Sequence, residues 1–321
     1  MKKILKTLAL LTAVVLACLA LYKMGSQVSG VLMRVKWAWI VFAVAGLSAY
    51  QWLNAGTWHQ VFTGLGLKLS RPAITRVWIQ SESMKWLPGG IWGYGSRIVN
   101  VGKLGVDFRL ASAGLAVELS LTVLAWACTA LWILPTAVGQ DLIARGWALA
   151  SHSALLTCAA VAATMGVGGC LICQPRVRAA LGRIFSRFVP SLKDLKLHPQ
   201  AWVRAWLAYF GLCLVNGSLL WLVTLAVPGL SVPWASVIGI GGVAWLVGFF
   251  ALGVPGGIGV REAALAGLLV WYGPMESAVA AAVVFRAAQV SAELIALGIS
   301  LLAGWKISRN SLAVRESAAL S

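Results

Sequence analysis

The chain has 321 residues, of which 60% are hydrophobic and only 11% charged, and its mean hydropathy is +0.87. A soluble domain carries about a quarter charged residues, so there is too little polar surface here to coat the apolar material; the composition excludes a water-soluble enzyme and a disordered chain alike. The chain has 26 basic residues against 9 acidic ones, and the basic residues cluster in connectors between long apolar runs, which is the pattern of cytoplasmic membrane loops and not of a nucleic-acid groove.

Lys2, Lys3 and Lys6 precede an apolar stretch, 7–22. It also fits a signal peptide, but more membrane helix follows, so the expectation is an uncleaved first span. Runs long enough to cross about 30 Å of hydrocarbon recur at 37–53, 110–136, 146–172, 201–227, 235–252 and 278–303. Two other stretches, 72–99 and 253–273, are apolar enough to enter the membrane, but proline and paired glycines interrupt their helix hydrogen bonding. Between the halves, 174–199 carries Arg176, Arg178, Arg183, Arg187, Lys193 and Lys196 against Asp194. Its 177–188 portion fits an amphipathic helix on an anionic leaflet.

The expected fold is all-α, a polytopic helical membrane protein with about eight crossings. A first half, 1–173, and a second, 200–304, flank the cytoplasmic linker 174–199, and a cytoplasmic tail, 305–321, follows. With the linker and both termini inside, the connectors 228–234 and 274–277 lie outside and hold no Lys or Arg, as the positive-inside rule expects. Lys23, Arg34 and Lys36 fit that arrangement less well. The six cysteines lie in or at the ends of apolar runs and read as small apolar residues. Cys170 and Cys173 have metal-ligand spacing but no second pair, so no metal or other cofactor is expected.

The two interrupted stretches share a word. One reads Pro88-Gly89-Gly90-Ile91 and reaches Arg97; the other reads Pro255-Gly256-Gly257-Ile258 and reaches Arg261. One copy in each half is the sign of a structural repeat whose broken helices border a binding site. Such breaks leave backbone groups unpaired, which lipid cannot satisfy, so they must be shielded or line a wet cavity. The helix restarting after the glycines offers free N–H groups and a positive dipole end to an anion. An arginine one or two turns later adds a fork suited to phosphate. The plainer reading is two ordinary loops whose arginines anchor lipid headgroups.

The run Lys85-Trp86-Leu87-Pro88-Gly89-Gly90-Ile91-Trp92-Gly93-Tyr94-Gly95-Ser96-Arg97 resembles a signature of the lysylphosphatidylglycerol synthase transmembrane-region family. Val254-Pro255-Gly256-Gly257-Ile258-Gly259-Val260-Arg261-Glu262-Ala263-Ala264 resembles the second signature of that family, and the last span, around Arg286, looks like its closing helix. The resemblance runs over essentially the whole chain. That family includes the flippase domain of the multiple peptide resistance factor, so the resemblance implies movement of lipid between leaflets. The family often has Glu followed closely by Arg after the first motif. Here Glu118 is followed by Leu119 and Ser120, so its charge partner must come from elsewhere. Only 18 residues follow Ala303, which leaves no room in this sequence for a soluble synthase domain; a stand-alone form is expected.

Intramembrane charges are costly and face a cavity or a counter-charge. Arg286 and Glu293 lie two turns apart on one helix face, about 10 Å in rise, too far for direct contact, so each needs a partner on another helix. Adjacent Arg261 and Glu262 point in different directions, Arg261 toward substrate and Glu262 toward a structural partner. Glu118 suits either a proton-coupling carboxylate or a structural hydrogen bond. The expected substrate-binding set is therefore Pro88, Gly89, Gly90, Arg97, Pro255, Gly256, Gly257, Arg261 and Arg286. Glu82, Glu118, Glu262 and Glu293 are expected to couple or offset charge.

The expected activity is translocation of an anionic phospholipid or a polyprenyl-phosphate-type lipid across the cytoplasmic (inner) membrane, without catalysis. One alternative is a membrane-embedded transferase, which would need an acidic cluster such as Glu82 with Asp107. Another is a non-transporting subunit of an envelope-synthesis assembly. Expected partners are membrane lipids, with a second copy of the chain or a separate lipid-modifying enzyme also compatible.

Overall fold

The structure is a computed structural model that describes residues 28–86, 92–149, 198–251 and 255–319. The span at 7–22, most of that at 146–172, the linker up to residue 197, and Pro88, Gly89 and Gly90 lie outside the described residues.

The described residues are helical throughout, joined by turns, and contain no strand. α1 (Trp37–Gly64) has 28 residues, about 42 Å of rise. A short pair follows: α2 (Arg71–Glu82), started by Pro72 in its first turn, a 3-10 turn over Ser83–Trp86, and α3 (Trp92–Gly102). α4 (Phe108–Ala130) starts where the Asp107 carboxylate accepts from the Arg109 N–H at 2.8 Å, a side-chain cap. α5 (Ala137–Leu149), α6 (Pro199–Ala226) and α7 (Trp234–Phe250) come next. α7 ends in a turn, Pro255–Gly257, from which α8 (Val260–Leu269) departs; α9 (Met275–Ala319) closes the chain. Among the described residues, the segments Phe108–Ile133, Gln200–Ala226 and Met275–Ala303 are long and apolar enough to cross a membrane. Large side chains exposed on α1, among them Trp37, Val41, Phe42 and Leu53, form the surface that lipid would cover.

Backbone bonds fix which ends of the helices lie together. The Lys36 N–H donates to the Ala226 carbonyl at 3.0 Å and the His198 N–H to the Gly64 carbonyl at 2.9 Å, so α1 and α6 are antiparallel. The Ser231 N–H donates to the Tyr272 carbonyl at 3.2 Å, and the Ser277 hydroxyl to the Pro228 carbonyl at 2.7 Å. The connectors around 228 and 273 therefore share one end of the bundle. The α2–α3 pair starts from the His198 end, and the α7–α8 pair from the other. Each pair packs on itself, and the turn Ser83–Trp86 packs against Pro255–Gly257. Two helical hairpins thus enter from opposite ends and meet inside. The stretches 72–99 and 253–273 are broken as expected, and short. Twelve residues in α2 rise only about 18 Å.

Small residues make that convergence possible. A Cβ on Gly239 would lie 2.4 Å from the Ile133 nitrogen, and one on Gly242 2.6 Å from the Ala130 nitrogen, so α7 rests directly on the end of α4. On α9, Ala278, Ala281, Ala282, Ala288 and Ala292 are fully buried. Without a hydrophobic drive between helices in lipid, close approach of small residues supplies the dispersion contact that associates them.

Candidate functional site

The hairpin tips collect four cations and four carboxylates. Arg97, on α3, is 4% exposed. Its guanidinium donates to Glu118 Oε1 at 2.6 Å, to Ser81 Oγ at 3.1 Å and to Glu82 Oε2. It also lies 4.8 Å from the Trp78 ring centre and 5.7 Å from that of Trp58. Glu118 Oε1 additionally accepts from Trp78 Nε1 at 3.0 Å. The partner that Glu118 lacks in its own helix is therefore Arg97, brought from the first hairpin.

The next link is Lys85, in the turn before the first word. Its ammonium bonds Glu82 at 2.8 Å and Glu293 of α9 at 2.7 Å. Seven residues earlier on α9, Arg286 Nη2 donates to the Gly256 carbonyl at 2.8 Å, and its Nε lies 3.0 Å from Glu262 Oε1. That last pair is close but off-axis, an ion pair without a hydrogen bond. The other Glu262 oxygen accepts from the Gly259 N–H at 2.6 Å and closes the first turn of α8. Arg286 and Glu293 thus each find a partner on another element, as their separation requires.

Arg261 differs from the other three cations. Its Nε is buried without a hydrogen-bond partner, and among the described residues it pairs with no carboxylate. Its guanidinium stands 5.8 Å from the Trp245 ring centre, and Trp245 stacks on Trp126 at 5.2 Å. Gly248 gives it room, since a Cβ there would lie 2.9 Å from both Cβ and Nε of Arg261. A Cβ on Gly257, at φ +69°, would lie 2.9 Å from the Gly248 carbonyl oxygen. Glycine on both sides lets the turn lie against α7, and the positive φ itself favours glycine.

Arg261, Glu262 and Arg286 line a half-enclosed cavity together with Asn216, Trp245 and Gln289. Its volume is 20 Å³, room for about one water molecule. Counted from the start of α9, Arg286 lies about 16 Å along the helix, near the middle of a bilayer. The three arginines of the expected binding set do not line one cavity. Arg261 and Arg286 line it, whereas Arg97 is enclosed by its own carboxylates. Gly256 and Gly257 form the turn beside it; Pro88, Gly89 and Gly90 lie outside the described residues. Sequence reasoning had not selected Lys85, Asn216, Gln289, Trp245 or Gly248. Only Lys85 carried a signal, a lysine three residues before Pro88 in an apolar run. The acidic pair considered for transferase chemistry is divided between other tasks: Asp107 caps α4, and Glu82 pairs with Lys85 and Arg97.

Residues 6–298 match the family described as "Lysylphosphatidylglycerol synthase TM region". The chain belongs to that family. The match includes both Pro-Gly-Gly words and α9 as far as Gly298, so the hairpins and the charged cluster are parts of the family region. Membership makes this a multi-pass membrane protein concerned with lipid handling. No curated protein matches the chain.

Proposed function

We propose that the protein moves an anionic or phosphate-bearing lipid between the leaflets of the cytoplasmic membrane, with no chemical step of its own. The observation that carries the reading is Arg261, a mid-membrane cation without a carboxylate partner among the described residues, beside a largely apolar cavity bounded by α4, α6, α7, α8 and α9. An unpaired charge at such depth is expensive, and its retention marks a substrate path. Phosphate suits it, because a guanidinium fork and the turn's backbone can share the oxygens. Asn216 and Gln289 add neutral polar groups, and Trp126 and Trp245 give a wall along which apolar parts of the lipid can slide. Acyl chains would trail into the bilayer while the headgroup passes between the hairpins.

The test is purified protein in liposomes, with labelled phospholipids scored for leaflet accessibility. Anionic lipids are expected to exchange faster than phosphatidylcholine. Arg261→Ala is expected to slow that exchange by about tenfold, the loss of one charge-assisted hydrogen bond, while elution and helix content stay unchanged. Exchange indifferent to Arg261→Ala, or no lipid movement at all, would remove the reading.

A further inference from the structure

We propose that Lys85 is a second ligand for the anion and that its ion pair with Glu293 is the latch that keeps the site closed. The inference rests on the reading that an anionic headgroup enters beside Arg261. A 20 Å³ cavity holds about one water and not a phosphate group, so the elements around it must part before any headgroup can enter. Which bonds must yield follows from where they run. Among the described residues, the partners of Arg97 lie in the first half, and Arg286 meets Glu262 and Gly256 of the second. Of the ion pairs among the described residues, Lys85–Glu293 joins the first half to the second.

Its chemistry suits exchange. The Lys85 side chain is 24% exposed, so an arriving anion can reach it, whereas Arg97 is enclosed. A lysine ammonium is a mobile point charge on a flexible stem and can follow a new partner. A phosphate replacing Glu293 leaves Lys85 with as much negative charge as before, because Glu82 stays in place at 2.8 Å. The displaced Glu293 carboxylate then faces the anion and is repelled by it. That repulsion acts on α9, the helix whose Arg286 also holds the Gly256 carbonyl. One helix therefore carries the hold on both hairpins, and the substrate's own charge releases it.

The latch can be read without any transport assay. Asn216→Cys, in a background with the native cysteines replaced, places a thiol in the cavity wall for modification by a small charged methanethiosulfonate. In phosphatidylcholine vesicles, modification of the protein with Lys85 and Glu293 intact is expected to be slow. Glu293→Gln is expected to speed it by roughly tenfold, the effect of removing one charge-assisted hydrogen bond. This variant leaves no orphaned charge on Lys85, since Glu82 remains, so it should fold; elution and helix content check that. Phosphatidylglycerol in the vesicles is expected to speed modification similarly with Glu293 present. Lys85→Gln should abolish that lipid response and Lys85→Arg should keep it. A rate indifferent to Glu293→Gln overturns the latch. A phosphatidylglycerol response that is absent, or that survives Lys85→Gln, overturns the role of Lys85 as ligand. The phosphatidylcholine arm contains no anionic lipid, so a failure of the transport reading leaves the latch separately decided.

Discussion

Arg97 satisfies its charge inside the protein. Two carboxylates, a hydroxyl and the rings of Trp58, Trp78 and Tyr94 surround it, which is what a guanidinium requires when buried away from water. Removing it would leave the buried Glu118 carboxylate with the Trp78 N–H and no counter-charge, and Glu82 with Lys85 alone. Arg97→Ala is therefore expected to cost about 3–5 kcal/mol of stability, visible as a large fall in the melting temperature of the detergent-purified protein. Arg97→Lys should rescue little of this, because an ammonium cannot span Glu82, Ser81 and Glu118 as a planar fork does. Arg261→Ala, by contrast, should leave the melting temperature near that of the parent protein, since no carboxylate loses its partner. A melting curve for Arg97→Ala that overlays the parent would refute the structural role given to Arg97.

At the scale of elements, the glycines in and beside the two motifs divide by what they touch. Gly248 lies under Arg261, and Gly257 lies on Gly248, so the second hairpin closes through backbone contact. Gly248→Ala must move either the Arg261 side chain or the start of α8. It is expected to cost about 1–3 kcal/mol through overpacking and to slow lipid exchange as Arg261→Ala does. Gly95, inside the first motif, is a control: a Cβ there meets nothing within 4 Å. Gly95→Ala should stabilise α3 by up to about 1 kcal/mol, through helix propensity alone. Melting temperatures of the two variants moving in the same direction would overturn this division.

For the whole molecule, the hairpins' opposite entry sets an orientation that charge can test. Exposed Arg71, Lys103 and Arg109, with Arg204 near the start of α6, lie toward the end where α1 finishes, whereas Arg34 and Lys36 lie at the other. The positive-inside rule predicts that the more basic end faces the cytoplasm. A single cysteine at Ser231 is then expected to react with an impermeant maleimide added outside intact cells, and one at Lys103 only after permeabilisation. The reverse pattern would invert the assignment and put the second hairpin's entry on the cytoplasmic side. Lys36, its backbone tied to Ala226, lies at the end that this prediction puts outside.

The sequence by itself determined the solvent and the punctuation. Apolar runs of spanning length can be satisfied only by helices in lipid, and Pro-Gly-Gly can only interrupt them, so α4, α6, α7, α9 and both breaks were legible from composition and order. The separation of Arg286 from Glu293 likewise showed that each must look to another helix, because helix rise is fixed by the backbone. What the sequence did not determine is which helix supplies each partner. Lys85 meets Glu293 across 208 positions of chain, and Arg97 of α3 meets the Glu118 carboxylate of α4. No local periodicity encodes such pairings. They follow from the antiparallel packing of α1 on α6, from glycines that let α7 rest on α4, and from the need of a buried charge for a counter-charge or a cavity in a medium that offers neither.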